Sequence, residues 1–180
     1  MATMQNMPVF AFKTLYFIFA LGVIVLFLLL SIVPYYIPGA VWIKPDLFLI
    51  ALYYWATHRP SLLPLWATFL AGLFFDIFSN FPPGFHAFIF ILVRKVITDQ
   101  RRILLGQTHL VFWLAFAILC VVYNLVKVAM FYILSGFWPD VWQVVYSALL
   151  TICLFPGLTT ILIFTHRKLP LLSHDVMKDS

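Results

Sequence analysis

A chain of 180 residues that is 64% apolar, 19% aromatic and only 9% charged lies far outside the roughly 45–50% apolar and about 25% charged of a soluble domain. Its mean hydropathy of +1.06 requires lipid as the solvent for most of its surface; a ~30 Å hydrocarbon core at ~20 residues per helix allows about six or seven crossings and no separate soluble domain. The formal charge of +5, with six acids that are all Asp, gathers beside the apolar runs, which is how topology is set and not how nucleic acid is gripped.

The first apolar run predicts a helix over 14–33, ended by Pro34, with Pro38 and Gly39 in the loop that follows. Only Lys13 precedes it and no A-x-A site follows, so it reads as a retained helix and not as a signal peptide. The second segment, PDLFLIALYYWAT, stops before His58, Arg59 and Pro60. Its thirteen residues reach only about 20 Å at ~1.5 Å per residue, so the helix is expected to start near Val41, over 41–57, or to sit in a thinned bilayer. A third helix is predicted over 62–79, before a turn from Asn80 to Gly84. The fourth, over 85–105, meets Arg94 and Lys95 after nine residues. The fifth covers 110–134 and the sixth 141–165, with Ser135 to Asp140 between them and a short cytoplasmic tail over 166–180. Pro156 and Gly157 should kink the sixth helix and free a carbonyl for a neighbour or water to take up. Cys120 and Cys153 lie inside apolar runs and read as packing residues.

Orientation follows from the cations. With the N-terminus inside, Lys13, Arg59, Arg94, Lys95, Arg101, Arg102, Arg167, Lys168 and Lys178 fall on the inner side, nine of the eleven, and the outer loops hold only Lys44. Both ends are then cytoplasmic, which six crossings satisfy. Trp42, Trp138 and Trp142 fall at the outer boundary, where interfacial aromatics belong.

Asp76 is the most informative residue, since an acid one turn from the outer end of a helix is costly in lipid and faces a partner or cavity. Thr68, Gly72 and Asp76 recur every four residues with Ala67 and Ala71 beside them, a small, polar stripe that reads first as a packing seam and alternatively as a docking or ligand groove. Lys127 on the fifth helix is the expected ion-pair partner of Asp76, with Asn124 able to bridge them. His86 reads as a polar helix-start residue and not as a metal ligand. Arg94, Lys95, Arg101 and Arg102 repeat at seven residues, so they should share one side, with Val96, Ile103, Ile97 and Leu104 on the other. Such a cationic face suits anionic lipid headgroups or a docked protein. Pro45 and Asp46 open the second helix on the outer side, where the acid favours the helix N-terminus or anchors a partner. No G-x-S-x-G, H-E-x-x-H or phosphate-cradling glycine loop occurs, so catalysis and a bound cofactor are not expected.

Read together, PDLFLIALYYWATHRP, AGLFFDIFSNFPPGFHAF and RRILLGQ, with Pro156 before a basic tail, resemble the MreD family of bacterial rod shape-determining membrane proteins. The resemblance spans roughly 46–168. It implies a non-enzymatic scaffold of the cell-wall elongation machinery in the inner membrane, with an MreC-like neighbour and, indirectly, MreB, RodA and penicillin-binding protein 2. The family is also similar to the six-helix substrate-binding subunits of energy-coupling-factor transporters. That implies an all-α, polytopic fold of six transmembrane helices, and a rival function: a transport subunit binding a small molecule in an outward cavity.

Overall fold

The computed structural model describes residues 22–33, 44–60, 63–79 and 81–167. They form six α-helices: α1 Gly22–Ile32, then α2 Leu47–His58, α3 Leu65–Ser79, α4 Phe85–Leu105, α5 His109–Ser135 and α6 Val141–Arg167. The earlier part of the first apolar run, Trp42 and Asn80 lie outside the described residues.

α2 is apolar on every side, and a helix with no polar stripe has to be enclosed. All its residues from Leu47 to Thr57 are buried. α4 and α6 pack directly on it, and Ile24, Phe27 and Leu28 of α1 join the same core. The expected start near Val41 is not what forms: Lys44, Pro45 and Asp46 are non-helical and the helix begins at Leu47. The chain there is held by neighbours instead. The Asp46 N–H donates to Thr151 Oγ1 (3.0 Å), the Phe48 N–H donates to Ser31 Oγ (2.6 Å), and the Ser147 hydroxyl donates to the Lys44 carbonyl. A helix of 12 residues reaches only about 18 Å, and its shortness is tolerated because protein surrounds it.

α3 likewise starts later than the hydropathy run, at Leu65, with the Pro64 carbonyl accepting from the Ala67 and Thr68 amides (3.1 and 3.2 Å). Its small-residue stripe lies against α4. A Cβ built on Gly72 would come within 2.3 Å of Ala87 Cα and 2.5 Å of Ala87 N, so only glycine permits this approach of two backbones. Thr68, Gly72 and Asp76 are buried with it, which makes the stripe an internal packing seam.

α5 and α6, of 27 residues each, are the two described helices long and apolar enough to cross a membrane, and only 22% and 17% of their most apolar windows are buried. Core helices of a soluble protein would show the reverse. Ile133, Ile118, Leu125 and Leu110 of α5 stand more than half exposed, a surface that calls for lipid. The two helices meet through a stacked Phe116–Phe155 pair (4.1 Å), and Tyr53 of α2 packs against both rings. Pro156 inside α6 cannot donate to the carbonyl one turn back. Trp113 of α5 supplies the missing donor, its indole N–H reaching the Ile152 carbonyl at 3.0 Å.

Candidate functional site

The site is built at one end of the bundle, where α1, α3 and α5 finish and α2, α4 and α6 begin. Gly84 caps α4 in the left-handed region (φ 100°) and has no side chain to satisfy the first amides of the helix. Asp76, two turns back across the α3–α4 connection, does so in its place. Its Oδ2 accepts from the Gly84 N–H (2.7 Å), and its Oδ1 accepts from the His86 N–H (2.9 Å) and the His86 Nδ1 (2.6 Å). The carboxylate therefore holds a tight turn and sits at the positive end of the α4 dipole. His86 is fully buried, with the rings of Phe75, Phe81, Phe85 and Phe90 around it.

Lys127 does not pair with Asp76. Its ammonium donates to both carboxylate oxygens of Asp46, at 2.9 Å each, and lies over the Tyr123 ring at 4.7 Å. The sequence expectation fails because Asp76 is consumed by the turn beside it, while Asp46, at the start of the buried α2, has no other cation among its described contacts. Asn124 does not bridge the two acids either: its Nδ2 donates to the Cys120 carbonyl (2.9 Å) and Sγ (3.6 Å) on its own helix.

These groups converge on a cavity of about 320 Å³. Asp46, His86, Asn124 and Lys127 line it together with Ser31, Lys44, Ser79, Asp140, Gln143 and Ser147, and its apolar walls include Phe75, Phe78, Val128 and Phe131. The second set of polar residues is what reading the runs one at a time overlooks. Their signal was there: serines, Gln143 and charges fall within two or three turns of the same end of successive apolar runs.

The basic cluster on α4 is far from uniform. Arg94 turns inward, donating from Nε to the Leu63 carbonyl (2.6 Å) and from Nη2 to the Pro60 carbonyl (3.1 Å). It ties down the α2–α3 connection, while Lys95 and Arg102 are exposed and Arg101 half-buried. The inward face is Val93, Ile97 and Leu104; Val96 and Ile103 are exposed, so a shared apolar side for Val96 with Ile97 does not form.

The model of a family described as rod shape-determining protein MreD matches residues 11–164, which is most of the chain and takes in the described helices but for the last three residues of α6. The chain belongs to the MreD family. No curated protein and no solved structure gives a significant match. Membership assigns the chain a role in rod shape determination and agrees with the lipid-facing character of α5 and α6. The MreD match also covers both acid pairs and the whole cavity. Among the described residues no cluster of three or more His, Cys, Asp or Glu is placed to hold a metal ion.

Proposed function

We propose that this chain is a non-enzymatic scaffold of the bacterial cell-wall elongation complex, crossing the inner membrane six times with both ends in the cytoplasm. The observation that carries the reading is the family match over residues 11–164. Three further features support it. Nine of eleven cations fall on one side when alternate connections are counted. The apolar α2 is enclosed, with α4 and α6 packed directly on it and core residues of α1 and α5 beside it, which suits the six-helix membrane fold that the resemblance to energy-coupling-factor substrate-binding subunits implies. Four ionisable side chains at or beside the cavity are tied in pairs, Asp46 with Lys127 and Asp76 with His86, which rigidifies the end of the bundle and suits holding a partner better than turning over a substrate. The partner is an MreC-like protein, with MreB, RodA and penicillin-binding protein 2 reached through it, and Lys95 and Arg102 meet anionic lipid on the inner side.

Depletion of the protein in its native host is expected to give rounded or widened cells, with the MreC-like partner lost from membrane copurification. Normal shape after clean depletion overturns the reading. A second reading, a membrane subunit that binds a small molecule for transport, draws on the polar cavity. A loss of solute uptake with shape unchanged would favour it.

A further inference from the structure

The fold accounts for the Asp46–Lys127 and Asp76–His86 pairs but leaves one buried atom of the cavity without a role. His86 lines the cavity and has no exposed surface, yet its Nε2 has no hydrogen-bond partner among the described residues. Buried polar atoms in native proteins are almost always satisfied, so an orphan on a residue that lines a cavity is a signal. Asp76 already accepts two backbone amides as a carboxylate, so the imidazole gives it the Nδ1 proton. In the neutral ring Nε2 is then an acceptor. Of the rings around it, those of Phe75, Phe81, Phe85 and Phe90 carry no donor, and Tyr123, whose ring centroid lies 6.3 Å away, makes no hydrogen bond to it.

Charge narrows what could supply one. Two cations, Lys44 and Lys127, face two acids, Asp46 and Asp140, and the deep pair is closed by two contacts of 2.9 Å. An ionic ligand would therefore find no uncompensated charge in the depth of the site. Serines at 31, 79 and 147 and the Asn124 amide offer neutral polar contacts, while Phe75, Phe78 and Phe131 offer an apolar wall. At about 320 Å³ the space stands at the small end of ligand pockets.

We propose that this cavity binds an uncharged, hydroxyl-bearing head that donates a hydrogen bond to His86 Nε2. Occupancy is independent of the scaffold role and would hold whether or not the MreC-like partner is present. The same chemistry comes from a neutral lipid headgroup or from a free polyol, and the two separate by tail.

The test uses the full chain in an amine-oxide detergent, which carries no hydroxyl. Octyl glucoside and methyl glucoside are added at millimolar concentrations, below those of osmolyte stabilisation, with octyl phosphate as an anion on the same tail. Octyl glucoside is expected to raise Tm saturably by a few degrees. His86→Phe, which keeps an aromatic ring but removes the acceptor, should weaken the midpoint at least tenfold. Val128→Trp fills the cavity without removing a side-chain hydrogen bond and should abolish the response, so it decides the matter if His86→Phe does not fold. An equal response to methyl glucoside identifies a free polyol as the source; a response to the octyl form alone identifies a lipid. Absence of a saturable rise with either glucoside, an equal rise with octyl phosphate, or a rise that survives Val128→Trp overturns the proposal.

Discussion

Asp46 and Lys127 stand 81 residues apart and meet only because α2 and α5 bring them to the same end of the bundle, where Lys127 is 21% and Asp46 6% exposed at the side chain. A charge left alone at such a place costs more than one at a wet surface, because neither water nor a second counter-ion can replace the lost partner. Asp46→Asn or Lys127→Met alone is therefore expected to cost about 2–3 kcal/mol, while the double change costs less than the sum by at least about 1 kcal/mol. Thermal unfolding in detergent of the two single variants and the pair measures that coupling. Asp76→Asn combined with Lys127→Met should instead be additive within about 0.5 kcal/mol, since the two share no partner. Additivity in the Asp46 cycle would mean that the pair is not closed in solution. At the same scale, Asp76 shows how a local demand outweighs a distant attraction: three short bonds within ten residues of chain take up the acid before any other helix can claim it.

Among the elements, α4 carries the most divided sequence, largely apolar for its first nine residues and then cationic. Arg94 belongs to the packed part. Its two bonds to the Leu63 and Pro60 carbonyls satisfy backbone groups that a broken connection between two apolar helices would otherwise leave orphaned. Arg94→Met is accordingly expected to lower stability by about 2 kcal/mol, the scale of hydrogen bonds from a charged donor. Arg101→Gln with Arg102→Gln should stay within about 0.5 kcal/mol but release bound anionic lipid. Thermal scans paired with native mass spectrometry of retained lipid separate the two effects. Equal destabilisation by both sets would show that the cationic residues act as one buried unit. α6 gives the complementary lesson: Pro156 disables one of its own backbone bonds, and the neighbouring α5 repairs it through Trp113.

Over the whole molecule, the short enclosed helix α2 and the long, lipid-facing α5 and α6 belong to one bundle, with the polar groups of the cavity gathered at one end and the cations of α4 toward the other. If the cavity end is external, reporter fusions within residues 80–84 should be exposed to the periplasm. Fusions after Leu105 and at the C-terminus should report the cytoplasm. An external C-terminus would remove a crossing from the proposed six and reverse which side the cavity opens to.

Hydropathy and helix breakers carried the all-α class and the order of the apolar runs, because in lipid every backbone amide has to be paired within its own helix and each break needs a proline, a glycine or a charge. The stripe of Thr68, Gly72 and Asp76 was legible for the same kind of reason: a four-residue spacing marks one helix face whatever that face meets. Partners across helices were not legible. Which acid Lys127 reaches depends on the distance between helix ends, and whether Arg94 turns to lipid or to the Pro60 and Leu63 carbonyls depends on a connection 31 to 34 residues away. The cavity was the least visible of all, since its ten polar and charged lining residues come from every helix or its flanking segment, and no single run contains enough of them to depart from a lipid-facing pattern. Local pairing rules act within a helix, so the sequence determined them; convergence of side chains from six helices is a property of their packing, so only the tertiary structure could decide it.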